Sequence, residues 1–394
     1  MNTAENTALA PTPTTRADRP KVIIVANTSW YLYNFGGSLL RALLSADVRV
    51  ISLAPYDEFS RKLEQLGMQH LDLRMGRRSL NAIADLALSV RLWRTYLREQ
   101  PDIVFHNTIK PVIYGSLAAR IANVPRVVNM ITGLGYIFTR NGVVQRILRP
   151  LVKVMYRYAL KKSDTVLFQN PDDKRYFERH GLVDGLSSAI TYGSGVDLEH
   201  FYFVEPRKTN EACTFLFVGR ILRDKGVVEF VEAASKVKRD YPMCSFKLLG
   251  RIDKDNPTQI KEHSIDKWTK AGCVEYLGEV EDVRYVLEKA DVVVLPSYRE
   301  GVPRALLEAM AMGKAIITTD TPGCRETVIN GQNGILVPPR EVDPLAEAMI
   351  RMIRDPEMRA RMGREGRRLA VELFDVKRVI KQILSAMNIP SGPV

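Results

Sequence analysis

The sequence predicts an α/β protein built from two parallel-sheet domains, and three features of its 394 residues carry that expectation. Short β-branched and aliphatic runs alternate with helical patterns from Lys21 onward, as βαβ layers require and as sandwiches or bundles do not. The chain exceeds what one hydrophobic core usually supports, so two domains are expected. Near the middle, between Phe201 and Ala212, the polar stretch Glu205-Pro-Arg-Lys-Thr-Asn-Glu211 breaks the alternation. The expected units are a tail over 1–20 rich in Thr, Ala and Pro, domains over 21–204 and 205–375, and a closing amphipathic helix over 376–394.

In the first domain the apolar runs predict strands at Val22–Ala26, Arg49–Leu53, Ile103–Phe105, Arg126–Ile131 and Thr165–Phe168. Helices are predicted at Gly37–Ser45, Glu58–Leu66, Leu80–Glu99, Val112–Ala122, Val143–Lys161 and Pro171–His180. In the second domain strands are predicted at Thr214–Val218, Ser245–Leu249, Val274–Tyr276, Val292–Leu295, Ala315–Thr318 and Gly334–Val337, again separated by helices. Ligands of open α/β sheets collect at the carboxyl ends of strands. Gly219-Arg220, Gly250-Arg251, Glu300 and His106-Asn107-Thr108 all fall there.

The formal charge of +12 is uneven. Residues 21–200 hold 24 Lys and Arg against 15 Asp and Glu, whereas residues 201–394 hold 31 against 28. The first half therefore faces something negative: nucleic acid, an anionic bilayer or a diphosphate-bearing substrate. Four scattered cysteines with no CxxC spacing fit a reducing cytosol rather than a disulfide framework or a zinc site. No apolar run approaches the ~20 residues of a membrane span, and the tail lacks the apolar centre of a signal peptide. A cytoplasmic protein, free or attached to the inner face of the membrane, is expected.

Glu300 and Glu308 lie either side of Pro303, where the apolar run Val292–Leu295 gives way to a helical segment. A proline tolerates the first helical position, and the N–H groups of Arg304 and Ala305 would then point outward as anion donors. Glu300 precedes the helix and Glu308 lies about one and a half turns into it. The cations needed beside such carboxylates follow the strand Thr214–Val218, in Gly219-Arg220 and Lys225-Gly226. Arg220 and Lys225 would neutralise a diphosphate, by forked hydrogen bonds and as a compact charge respectively.

These residues resemble the donor site of the retaining, nucleotide-sugar-dependent glycosyltransferases of family 4. The resemblance runs through Gly219-Arg220, Lys225-Gly226, Glu300-Gly-Val-Pro-Arg-Ala-Leu-Leu-Glu308, Tyr192–Asp197 and Thr318–Cys324, and covers nearly the whole chain from Lys21. Leu295–Gly301 and Gly313–Ile317 are most similar to bacterial members that extend polyprenyl-diphosphate-linked glycans. The resemblance implies a GT-B fold, two Rossmann-like domains facing across a cleft, with the last helix crossing back onto the first domain. It implies a UDP-sugar donor, a polyprenyl-diphosphate-linked saccharide acceptor and no metal or other cofactor. Arg220, Lys225, Glu300 and His106 would be catalytic. Gly36, Gly37, Gly219, Arg220, Lys225, Gly250, Val280, Glu300, Arg304, Ala305 and Glu308 would contact the donor, Glu308 at its ribose and Glu300 at its sugar.

Some of these positions admit a second reading. His106 could instead be a structural histidine bonded to backbone, and Phe35-Gly36-Gly37-Ser38 a plain turn opening a helix. Gly133-Leu-Gly135 and the residues to Thr139 read as an acceptor loop, and Asp253-Lys-Asp255 as a solvated loop rather than a metal-binding DxD. Arg140–Lys162 carries seven basic and no acidic residues among apolar ones, the pattern of an interfacial helix, and Arg74, Arg77 and Arg78 add charge. No strand-linked GxGxxG supports a dinucleotide oxidoreductase, and no reading motif supports a nucleic-acid binder. The remaining rival is a nucleotide-sugar epimerase or hydrolase of the same fold.

Overall fold

The computed structural model describes residues 19–76, 82–135, 138, 142–206, 212–254 and 256–390. The tail over 1–18, residues 77–81 with Arg77 and Arg78, 136–137, 139–141, 207–211, Asp255 and 391–394 lie outside them.

The first domain runs β1 (Lys21–Val25), α1 (Ser29–Ser45), β2 (Arg49–Ala54), α2 (Glu58–Gln65), β3 (Gln69–Asp72), α3 (Ala82–Glu99) and β4 (Ile103–Asn107). A π-type turn at Pro111–Gly115 leads into α4 (Ser116–Ile121), followed by β5 (Arg126–Ile131), α5 (Val143–Leu160), β6 (Thr165–Phe168), α6 (Pro171–Arg179) and β7 (Ser187–Ile190). Its sheet is parallel with the order β3-β2-β1-β4-β5-β6-β7. Both faces are covered, which is why the central strands read as unbroken apolar runs. Val22 and Ile24 enter one core and Ile23 and Val25 the other. The edge strands β3 and β7 went unpredicted, because Gln69-His-Leu-Asp72 and Ser187-Ser-Ala-Ile190 carry no such run and are defined by pairing with β2 and β6.

The second domain runs β8 (Thr214–Val218), a 3-10 turn at Arg223–Lys225, α7 (Val227–Asp240), β9 (Ser245–Leu249), α8 (Glu262–Lys270), β10 (Glu275–Gly278), α9 (Arg284–Lys289) and β11 (Val292–Leu295). Then come α10 (Arg304–Ala311), β12 (Ala315–Thr319), β13 (Gly334–Val337), α11 (Val342–Arg354), α12 (Pro356–Leu373) and α13 (Val376–Met387). Its parallel sheet has the order β10-β9-β8-β11-β12-β13.

Two chain passages join the domains side by side. The Val196 amide donates to Phe374 O at 2.8 Å and the Val376 amide to Val196 O at 3.0 Å. Val196 and Phe201 already belong to the second core, although they precede the polar break in sequence. α13 lays Val379, Ile380, Ile383, Leu384 and Met387 into the first core beside Leu39, Leu40 and Leu43, and Arg126 Nε donates to Ala386 O at 2.8 Å.

One element starts earlier than predicted, with consequences for the cleft. α1 begins at Ser29, capped by Thr28, whose Oγ1 accepts from the Tyr31 amide at 2.9 Å. Gly36 and Gly37 therefore lie inside a helix rather than at its start. The cap, worth about 1 kcal/mol, together with burial of Leu32, Leu39, Leu40 and Leu43 in the first core, offsets the cost of about 1 kcal/mol per mid-helix glycine that suggested a break there.

Candidate active site

Three strand ends of the second sheet converge because two glycines remove side chains that would collide. Gly250, at φ +145°, ends β9 where a Cβ would fall on the Gly219 carbonyl oxygen after β8. Gly226, at φ +74°, lies against the Pro296 carbonyl after β11. Both conformations are ones that residues with a Cβ rarely adopt. The result brings the 3-10 turn carrying Lys225 against the loop carrying Glu300.

Lys225 Nζ donates to Glu300 Oε1, which also accepts from Ser297 Oγ at 2.7 Å. Ser297 is fixed in turn by Thr319 and Thr321, whose hydroxyls both donate to its carbonyl. The Glu300 amide donates to Pro322 O at 3.0 Å. The carboxylate is thus held from three directions before any ligand arrives.

Pro303 caps α10 in an extended conformation, with no side-chain cap, so the helix offers the N-terminal donors at Arg304 and Ala305 to an anion. Within α10, Arg304 Nε meets Glu308 Oε1 at 2.8 Å, one turn apart. Burial pushes the Glu308 carboxyl above the usual glutamate range, and Arg304 pulls against that shift. Arg304 Nη1 also reaches across the cleft to the Asn34 carbonyl of α1.

Not every candidate gathers here. Arg220 pairs with Asp253 at 2.9 Å instead of joining Lys225, so that aspartate is a partner of the site's loop and not a free solvated residue. Val280, 38 % exposed, stands in the loop between β10 and α9. Gly36 faces a small gap between the first domain and α13 with Asn107, Gln169, Gly193 and Ser194, whereas Gly37 is buried within the first domain.

His106 is misplaced as a catalytic residue. Its ring is wholly buried, with Nδ1 at 2.9 Å from Asn129 Oδ1 and Nε2 at 2.9 Å from Tyr96 Oη. Asn129 Nδ2 donates to Ser163 Oγ at 2.6 Å, which turns the amide oxygen toward the imidazole. Nδ1 therefore donates and Nε2 accepts, a neutral ring with both nitrogens satisfied and its pKa pushed down to about 4 by burial. The next residue, Asn107, is also buried and lines a small cavity between the first domain and α13.

Two residues of the first domain join the site without having been expected there. Asn170 and Asp173 of α6 contact the Glu300 loop: Asn170 Nδ2 donates to Gly301 O at 2.8 Å, and Arg299 pairs with Asp173. Asn170 before Pro171 carries a helix-cap signal, but nothing local announces a partner 131 residues away.

The glycosyl transferases group 1 family model matches residues 200–369, and the glycosyl transferase 4-like model matches residues 21–170. The chain belongs to the family 4 glycosyltransferases. The enzyme is 27 % identical over 352 residues to the N,N'-diacetylbacillosaminyl-diphospho-undecaprenol alpha-1,3-N-acetylgalactosaminyltransferase of Campylobacter jejuni, covering 86 % of this chain and 91 % of that one. It is 28 % identical to the UDP-Gal:alpha-D-GlcNAc-diphosphoundecaprenol alpha-1,3-galactosyltransferase of Escherichia coli, over 77 % and 80 % of the two chains. Its fold is GT-B. Anabaena HepE, solved in complex with UDP, superposes with a TM-score of 0.75 at 20 % identity over 93 % of this chain and 99 % of that one. Among the described residues of the glycosyltransferase, no helix is long and apolar enough to cross a membrane, and no cluster of three or more His, Cys, Asp or Glu could hold a metal ion.

Proposed function

We propose that the enzyme transfers a sugar, an N-acetylhexosamine, from a UDP-linked donor to a hydroxyl of a polyprenyl-diphosphate-linked saccharide with retention of anomeric configuration. The observation that carries this reading is the Lys225–Glu300 pair, set at the carboxyl edge of the second sheet beside the open N-terminus of α10. Lys225, with the Arg304 and Ala305 amides, would stabilise charge on the departing diphosphate, catalysis by donors fixed in advance. Arg220, at 42 % side-chain exposure and held by Asp253, would swing in from the rim. Glu300 would hold donor-sugar hydroxyls, and Glu308 would accept from the ribose. Both bacterial relatives carry a diphospho-undecaprenol acceptor in their names, and the Escherichia coli one also carries UDP-Gal, which supports the acceptor and donor classes here.

A bilayer-bound acceptor calls for a bilayer-facing surface, and α5 supplies one. Ile147, Leu151, Val154 and Tyr158 are 70, 56, 46 and 60 % exposed, and their spacing makes a single stripe on this helix. The opposite face, through Val152, Tyr156, Ala159 and Leu160, is core. Arg146, Lys161 and Lys162 are exposed on the same helix and its end, whereas Arg157 is engaged with the carbonyls of His180 and Gly181. Apolar and cationic groups so arranged fit the anionic inner face of the cytoplasmic membrane.

The test is incubation with a panel of UDP-sugars and an undecaprenyl-diphosphate-linked monosaccharide, read by product mass and by NMR of the new anomeric centre. One added hexosamine with the donor's configuration is expected. Equal UDP release with and without acceptor would instead identify a hydrolase.

A further inference from the structure

The loop that carries Glu300 is gripped from both domains. The second domain holds Glu300 itself through Lys225, Ser297 and Pro322. The first domain holds the residues on either side. Arg299 Nη2 pairs with Asp173 Oδ1, and Gly301 O accepts from Asn170 Nδ2 at 2.8 Å. At Gly301 the backbone lies directly against the carboxyl edge of the first sheet, where a Cβ would be 2.6 Å from Thr132 O and would collide with the Gln169 amide oxygen.

The first-domain half of this clasp is rigid. Asn170 caps α6, its Oδ1 accepting from the Asp173 amide at 2.8 Å, while its Nδ2 also donates to Asp173 Oδ2 at 3.0 Å. Asp173 is wholly buried; burial raises its pKa and the Arg299 guanidinium opposes that rise. The carboxylate is therefore compensated by a cation that belongs to the other domain. Arg299 Nε, in turn, is buried without a partner among the described residues. A buried donor left unmade costs free energy, so the clasp is not the tightest lock the two domains could form, as a latch that must reopen for donor binding and UDP exit requires.

We propose that Asn170 and Asp173 are positioning residues: by holding Arg299 and Gly301 when the domains close, they set the direction of the Glu300 carboxylate between them. The proposal rests on the donor reading above, since it is the sugar that Glu300 would meet. Their bonds go to Arg299 and Gly301, the neighbours of Glu300, so their effect would reach turnover through Glu300.

Asn170→Ser is the discriminating variant. Serine still caps α6, but its hydroxyl is too short to bridge to Gly301 O. UDP affinity is measured by calorimetry, melting temperature by circular dichroism, and kcat and KM with the UDP-sugar and undecaprenyl-diphosphate-linked acceptor that the wild type uses. The expected result is a fall in kcat of about tenfold, the scale of one lost hydrogen bond, with UDP affinity within about threefold and a melting temperature lower by only a few degrees, because Asp173 also loses the Asn170 amide. Arg299→Lys, which keeps a cation for Asp173, should retain more turnover than Arg299→Ala. Wild-type kcat in Asn170→Ser would overturn the proposal and leave the donor reading standing. A fall of UDP affinity in parallel with kcat would also overturn it, as the mark of a structural cap alone. Failure of the wild type to bind UDP would remove the donor reading and this proposal with it.

Discussion

Lys225 and Glu300 are paired across 75 residues of sequence, with Oε1 of the glutamate shared between the ammonium and the Ser297 hydroxyl. The pair leaves the cation and the carboxylate in fixed relation at the cleft, so each orients the other.

Removing the cation should therefore have two effects. Lys225→Ala deletes the charge proposed to meet the diphosphate and leaves the Glu300 carboxylate held by Ser297, with its backbone bonded to Pro322. Steady-state transfer is expected to fall at least ~10²-fold, the scale of losing one fixed donor to a developing anion. A double-mutant cycle with Glu300→Gln should be strongly non-additive, because the two side chains touch. Wild-type rates in Lys225→Ala, with folding verified by circular dichroism, would exclude the assigned role.

Glu308 gives a binding prediction with a pH signature. Burial raises its pKa above that of a free glutamate, so the carboxylate takes up a proton at a higher pH than an exposed one would. Protonation removes acceptor capacity, so UDP affinity should fall with falling pH, beginning at a higher pH than for an ordinary glutamate. Glu308→Gln should bind UDP about tenfold more weakly, the scale of one hydrogen bond to a charged group, and lose that pH step. A pH-independent Kd in the wild type, measured by calorimetry, would contradict a ribose-binding carboxylate here.

How much of this was legible in the sequence differs between elements for physical reasons. Val292–Leu295 was readable because a strand buried on both faces must be apolar throughout, and Glu300 was readable because it follows such a strand. His106 obeyed the same rule and misled. β4 runs on through His106 to Asn107, so the ring lies within the buried strand, where Asn129 and Tyr96 from elsewhere in the chain bind it. The Thr28 cap was present in the sequence, but the glycine pair that followed suggested a later helix start. The Asp173–Arg299 contact had no local signature, since it exists only once the two domains meet.

His106 instead makes a stability prediction. The folded protein holds it neutral to about pH 4, while an unfolded histidine takes a proton near pH 6.5. Below 6.5 the unfolded state binds more protons than the native one, so stability declines as pH falls toward 4. The loss from this residue is about 3 kcal/mol, because each pH unit between the folded and unfolded titrations is worth about 1.36 kcal/mol. His106→Gln should flatten that part of the chemical-denaturation profile while lowering stability at neutral pH, because its amide cannot reach both Asn129 and Tyr96. An unchanged pH slope in the variant would show that the ring is not the group responsible.

The apolar stripe on α5 predicts a membrane effect separable from catalysis. Ile147 and Leu151 are exposed and remote in sequence from every donor-site residue, so replacing them by aspartate leaves the cleft intact. Seating one aliphatic side chain in a bilayer interface is worth about 1.5 kcal/mol or more, and an aspartate adds repulsion from anionic lipid. Ile147→Asp/Leu151→Asp should therefore sediment with phosphatidylglycerol-containing vesicles at least about tenfold more weakly than the wild type, with UDP affinity unchanged. The wild type should also bind those vesicles better than neutral phosphatidylcholine ones, and lose the difference as salt is raised, because Arg146, Lys161 and Lys162 act through a screened field. Equal binding of variant and wild type would exclude the α5 stripe as a lipid-facing surface.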